Sequence, residues 1–203
     1  MTINSNDYEI LEDSSPYFIR FTHPRIKELC EYCHKHVPDL SNIEVFQHYI
    51  FPYEQSQEIL KLVPASKKIP FQADRVSLFI TAPGYHYTAH KDGANHRFSL
   101  NYTIRVLDRK CVTSWYNEED LKDYKIDDLY NNWSREIEGF EKSKHTPLKT
   151  MIARPYEGVL VNTDMWHDWD NSASNNYRIV LTLRHKEPAN NYFHDVKKIM
   201  FGY

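Results

Sequence analysis

The chain has 203 residues, 41% of them hydrophobic and 26% charged, with a formal net charge of -3. That is the length and balance of one soluble domain with a real core. It excludes the basic face of a nucleic-acid binder and a membrane helix, since no apolar run nears the roughly 20 residues a span requires. Three cysteines are an odd number and too few for a disulfide framework. The N-terminal stretch MTINSNDYEILEDSS is polar and acidic. It lacks the basic and apolar regions of a signal peptide, so a cytoplasmic protein is expected, with residues 1–16 loosely ordered. From Pro24, the spacing of Ile26, Leu29, Cys30, Cys33 and Val37 predicts a helix, and a second is expected from Tyr53 to Leu62, closed by Pro64. Residues 17–70 therefore read as a helical N-terminal part.

After Pro70 the pattern changes. RVSLFITAPG, HRFSLNYTIRV, CVTSWYN, GVLVNTD and YRIVLTLRH are short, β-branched or aromatic, and punctuated by Gly, Pro and Asn. Phe98, Leu100, Tyr102 and Ile104 alternate with Ser99, Asn101 and Thr103, which predicts a strand with one apolar and one polar face. Residues 117–150 are acidic and mixed, and read as a helical or irregular insertion. The whole predicts a single domain, mainly β: a β-sandwich or barrel over 71–187 with the N-terminal helices packed outside.

His90 and Asp92 sit two apart just before the HRFSLNYTI strand, so an extended chain puts both on one face. His167 follows the apolar GVLVN strand, and Arg178 comes eleven residues later on the next strand. Two imidazoles and one carboxylate on one face of a metal leave three positions open, which suits non-heme Fe(II) binding a substrate and O₂ together. A buried arginine holds the far carboxylate of a dicarboxylate through a bidentate pair. On the YRIVLTL strand Arg178, Val180 and Thr182 share a face, while Ile179, Leu181 and Leu183 share the other. An arginine turned into the barrel without a partner costs several kcal/mol, and no acid in its own strand answers it.

The stretch Ala82-Pro83-Gly84-Tyr85-His86-Tyr87-Thr88-Ala89-His90-Lys91-Asp92 is similar to the P-G-x-x-Y-x-x-H-x-D pattern of the prolyl hydroxylases. The segment Asn95-His96-Arg97-Phe98-Ser99-Leu100, and the run from His167 through Arg178 to HKEP, look more like the aspartyl/asparaginyl β-hydroxylases. The chain thus resembles the Fe(II)/2-oxoglutarate-dependent dioxygenases, whose fold is the double-stranded β-helix. It departs from many of them at Thr81, where they have a tyrosine near the cosubstrate, and from the animal aspartyl enzymes in having Asp92. The resemblance implies that His90, Asp92 and His167 ligate iron and that Arg178 binds 2-oxoglutarate. It further implies hydroxylation of a C–H bond with O₂, on an amino-acid side chain such as Asp/Asn or Pro, free or in a peptide. Asn101 is expected to hydrogen-bond the cosubstrate, and Thr182 to add a hydroxyl to the carboxylate held by Arg178. Tyr87 matches a pattern tyrosine, yet strict alternation turns it away from His90, so a bulge at Thr88–Ala89 is needed to bring it in. Arg97 and Trp115 are candidates for the substrate mouth. A monomer or weak dimer is expected, with a small-molecule or peptide substrate, and with neither nucleic acid nor membrane as partner.

Two competing signals remain. Cys30-Glu31-Tyr32-Cys33-His34 formally matches the C-x-x-C-H haem attachment motif, and Cys30, Cys33, His34 and His36 offer a zinc set. Both cysteines fall on the apolar stripe of the predicted helix, so they read as small core residues. The alternative to an oxygenase is a metal-binding cupin-like isomerase or hydrolase, or a non-catalytic jelly-roll binding module; neither needs an arginine eleven residues after the last ligand.

Overall fold

The computed structural model describes residues 7–92, 97–129, 134–185 and 192–202. β1 (Glu9–Ser14) pairs antiparallel with β2 (Phe18–Thr22). Then come α1 (Ile26–Lys35), β3 (Phe46–Ile50), α2 (Tyr53–Leu62), β4 (Ser77–Thr81), β5 (His86–Asp92) and β6 (Phe98–Arg105). β7 (Val112–Trp115), β8 (Ile126–Leu129), β9 (Ser134–Ile137), β10 (Lys149–Ile152), β11 (Gly158–Asn162), β12 (His167–Asp170) and β13 (Arg178–Leu183) complete the described strands, and α3 (Phe193–Phe201) follows them. The molecule is mainly β. A seven-stranded sheet of order β1-β2-β11-β6-β13-β4-β3 faces a six-stranded sheet of order β10-β7-β12-β5-β9-β8, in the manner of a jelly roll.

Alternation along the central strands builds two interiors from one sheet. On β6, Phe98, Leu100, Tyr102 and Ile104 point outward and join Ile179, Leu181 and Leu183 of β13 in a core shared with α1, α2 and α3. Ser99, Asn101 and Thr103, with Arg178, Val180 and Thr182, point inward and line a cavity between the sheets. Burying each of the aliphatic side chains contributes about 1.5–3 kcal/mol, so the outer core carries much of the stability and leaves the inner face free to be polar. α1 lies on β6 through its buried stripe of Ile26, Leu29, Cys30 and Cys33. Burial pushes the Cys30 thiol up to about 12, the behaviour of a packed core cysteine rather than a reactive thiolate.

The N-terminal half departs from the sequence reading in three places. Residues 9–14, expected to be loose, form an edge strand whose side chains alternate between half-buried and exposed, and Tyr8 before it is buried against Phe21 and Phe201. The region 17–70 is not simply helical, because β2 and β3 from it complete the larger sheet. The excursion at 117–150 contains β8, β9 and β10, and β9 pairs with β5 so that Glu136 stands opposite His90. Weak apolar alternation hid β1, β3 and β9, which lie at or next to sheet margins and carry exposed side chains, whereas β2 is almost wholly buried and shows no alternation at all.

Candidate functional site

A cavity of about 270 Å³ lies between the sheets, and His90, Asp92, His167 and Arg178 all line it. His90 and His167 are directly opposite each other on β5 and β12, with ring centroids 4.3 Å apart. Both are almost wholly buried, at 3% and 5% exposure. The Nδ1 of His90 lies 2.9 Å from the Thr88 carbonyl oxygen and that of His167 lies 2.8 Å from the Met165 carbonyl oxygen. A carbonyl oxygen only accepts, so each ring donates through Nδ1, and the neutral form of such a ring carries its lone pair on Nε2. That is the tautomer in which second-sphere bonds orient a metal-binding histidine. Burial, and then the neighbouring His167, hold the His90 pKa well below its ordinary value, so it is neutral and able to ligate.

Asp92 is half-buried on the same cavity wall, two residues after His90 on one strand. The structure brings the two histidines together with Asp92 beside them. Among the described residues it does not close any three His, Cys, Asp or Glu side chains into a ready metal cage. The donor set fits a metal of the non-heme iron kind in its chemistry, with two neutral imidazoles and one anion.

Tyr87 enters the cavity by the route its position requires. His167 pairs with His90 and Trp169 with Tyr87, so two steps on β12 match three on β5. The extra residue at Thr88–Ala89 is a β-bulge, which resets the alternation and brings Tyr87 onto the face of His90. Its ring stands edge-on to His90 at 4.9 Å and stacks on Trp169 at 4.2 Å. Its hydroxyl donates to Glu136.

β12 runs from His167 away from the paired histidines. After a turn, β13 starts at Arg178, opposite Thr81 of β4, and returns. Arg178 is 8% exposed, and its Nε has no hydrogen-bond partner. The Thr182 hydroxyl and the Trp169 Nε1 are likewise buried without partners, and both residues line the cavity. A guanidinium held in the interior with an unanswered Nε fits a bound carboxylate, since an unsatisfied buried group costs free energy until a ligand supplies the acceptor. Asn101 stands opposite Thr182 across the β6–β13 pair, and its Oδ1 accepts from the Ser99 hydroxyl at 2.7 Å.

Two sequence candidates fall outside the cavity. Trp115 is fully buried, stacks on Phe18 at 5.3 Å, and donates from Nε1 to the Asn162 carbonyl. It faces His167 across the β7–β12 pair as a packing support and not as part of a substrate mouth. Arg97 lies over the Tyr192 ring at 4.4 Å and within 3.9 Å of Asp164; these neighbours, and not the cavity, occupy it. Asn95, His96 and the residues 186–188 of the HKEP run lie outside the described residues.

The sequence reading missed Phe46, His48, Phe79, Trp169 and Arg184, which all line the cavity. Trp169 and Arg184 were within reach of its own rule: they stand two after His167 and six after Arg178, on the same strand faces. It also missed Asp168, fully buried on the reverse face of β12. This carboxylate accepts from the Ser114 backbone N–H at 3.0 Å, the Tyr116 hydroxyl at 2.8 Å and His86 Nε2 at 2.9 Å, and lies 3.1 Å from Lys142 Nζ. Burial pushes its pKa up, but those donors and the lysine charge outweigh it and hold the pKa below the usual carboxylate range. The network pins β12 and thereby the backbone of His167.

No family model matches the chain, and no curated protein matches its sequence. Among solved structures, HygX from Streptomyces hygroscopicus, with nickel, 2-oxoglutarate and hygromycin B bound, is similar with a TM-score of 0.52 at 7% identity, over 86% of this chain and 84% of that one. EvdO2 from Micromonospora carbonacea var. aurantiaca, complexed with 2-oxoglutarate, is similar with a TM-score of 0.51 at 10% identity, over 86% of this chain and 89% of that one. At such identities the likeness is one of fold, and it establishes the jelly-roll architecture. The narrower resemblance to prolyl and aspartyl/asparaginyl hydroxylases finds no support in these neighbours.

Proposed function

We propose that the protein is an Fe(II)- and 2-oxoglutarate-dependent oxygenase that hydroxylates a C–H bond of a small molecule or an amino-acid side chain. The observation that carries this reading is the pairing, in one cavity, of two buried histidines with free Nε2 atoms and a buried guanidinium whose Nε has no partner. The similarity in fold to two structures that hold 2-oxoglutarate supports it.

His90, Asp92 and His167 would hold the iron, and Arg178 the far carboxylate of 2-oxoglutarate through its planar fork. Iron with 2-oxoglutarate and O₂ supplies the oxidising chemistry, consuming 2-oxoglutarate to succinate and CO₂. The protein's own part is to bind, orient and keep water out. Thr88 and Met165 hold the two imidazoles in the Nε2-ligating tautomer through their carbonyls. Thr182 lies four residues beyond Arg178, roughly 13 Å along the strand. With Asn101 opposite, its hydroxyl serves the middle of the bound cosubstrate rather than the carboxylate on Arg178. The stacked Tyr87 and Trp169 rings cover the histidine end with apolar surface, which excludes water from the reacting centre.

The test is anaerobic reconstitution with Fe(II), followed by measurement of bound iron and of succinate formed from 2-oxoglutarate in air. Wild type should retain one iron per chain and release succinate. His90→Ala and His167→Ala should lose both, and Asp92→Ala should lose succinate formation. Iron retention equal to wild type in the double histidine variant would contradict the ligand assignment.

A further inference from the structure

The cavity is lined by a second arginine besides Arg178. Arg184 lies six residues after Arg178, on the same face of the chain, and lines the same cavity. Six residues of extended chain are roughly 20 Å, so the backbones of Arg178 and Arg184 stand at opposite ends of β13. Arg184 is tied to the histidine end: the Phe79 ring beneath it tilts against Trp169, which stands edge-on to His90 at 5.1 Å, and its charge also acts on His48 and His90. Its guanidinium carbon lies 5.7 Å over the ring of Phe79, and among the described residues no carboxylate or carbonyl is recorded against its side chain. The adjoining wall is flat and aromatic. Phe79 stacks with Phe46 at 5.5 Å and with His48 at 4.8 Å, and Trp169, with its unpartnered Nε1, tilts against both Phe46 and Phe79.

We infer that this end of the cavity is the substrate pocket and that it takes a small carboxylate-bearing molecule with a planar, apolar body, its carboxylate on Arg184 and its flat face on Phe46, Phe79 and Trp169. The inference rests on the oxygenase reading for what happens to the bound molecule, but not for the binding itself. A cavity of about 270 Å³ is at the small end of ligand pockets, and part of it is taken by the cosubstrate. A small molecule fits the remainder, and a folded protein loop does not. Stacked aromatic rings supply contact area at low entropic cost, while Arg184 and Trp169 Nε1 supply the polar discrimination that apolar walls lack.

The probe is phenylacetate, with phenylacetamide as its neutral counterpart, titrated calorimetrically into protein loaded with Ni(II) and 2-oxoglutarate. Wild type should prefer the acid to the amide at least tenfold. Arg184→Gln should abolish that preference while binding 2-oxoglutarate as wild type does. Arg184→Lys should keep part of the preference, and Phe79→Leu should weaken acid and amide alike. An acid preference that survives in Arg184→Gln, or no preference in wild type, overturns the inference and leaves the oxygenase reading standing. A tenfold loss of 2-oxoglutarate affinity in Arg184→Gln also overturns it, because Arg184 would then hold the cosubstrate. Should wild type fail to bind 2-oxoglutarate, the oxygenase reading falls. The titration without cosubstrate still decides: a preference lost in Arg184→Gln and kept in Arg178→Gln supports the pocket, and the reverse refutes it.

Discussion

Arg178 and His23 show how one side chain's surroundings set its task. Arg178 sits buried with Nε unanswered, a state that a ligand carboxylate relieves. Arg178→Lys keeps the charge and loses the fork, so the apparent KM for 2-oxoglutarate should rise at least tenfold, equivalent to about 1.4 kcal/mol. Iron retention should not change; steady-state succinate assays and metal analysis of the same preparation check both halves. His23 is also buried, but it is structural. The Arg25 backbone N–H donates to its Nδ1 at 3.2 Å at the start of α1, and Tyr8 and Tyr102 stand edge-on around its ring. Burial, then the charge of Arg25, pulls its pKa down to about 4. A histidine held neutral in the fold gains a proton on unfolding once the pH falls below its ordinary value near 6.5. Its contribution to stability is therefore present at neutral pH and lost as the pH drops from about 6.5 toward 4. Between pH 7 and pH 5 the loss should be about 2 kcal/mol, read from urea denaturation at the two pH values. His23→Gln should remove that part of the pH dependence; an unchanged slope would show that His23 is not its source.

At the scale of elements, β11 tests the packing between the central strands and the outer core. Gly158 stands opposite Phe21 of β2, and a Cβ there would lie 2.3 Å from the Phe21 ring. Gly158→Ala should destabilise the fold by about 1–3 kcal/mol through overpacking. Adding Phe21→Leu should recover part of that loss, a non-additivity expected only of residues in contact; strict additivity in denaturant melts would contradict the contact. Elements were legible in the sequence where a period was strong. α2 spans Tyr53–Leu62 as the apolar spacing and Pro64 predict, and the two faces of β6 and β13 follow their alternation. The Thr88–Ala89 bulge was legible only as a condition, that Tyr87 needs an extra residue to share the face of His90. β1, β3 and β9 were not legible, because each is at or next to a sheet margin and has exposed side chains that blur the period. Trp115 was misplaced for a related reason: sequence gives the position of an aromatic on a strand but not which layer its face meets, and here it meets Phe18.

The molecule as a whole divides its labour between the two faces of the larger sheet. Helices α1, α2 and α3 pack on the outer face and form the large apolar core, while the inner face shares a polar-lined cavity with the smaller sheet. Stability and chemistry are thus separated by the thickness of one sheet, so inward-facing side chains are free to be histidine, asparagine, threonine and arginine. That organisation makes the proposal specific: one cavity would hold metal at the His90–His167 end and 2-oxoglutarate between the metal and Arg178. The most direct test is an anaerobic calorimetric titration of 2-oxoglutarate into the protein with and without Fe(II), repeated on the His90→Ala, His167→Ala double variant. The account predicts one 2-oxoglutarate per chain in wild type, at least tenfold tighter with Fe(II) than without, and no effect of Fe(II) in the double variant. Binding that is indifferent to Fe(II) in wild type, or an absence of binding with the metal present, would contradict it.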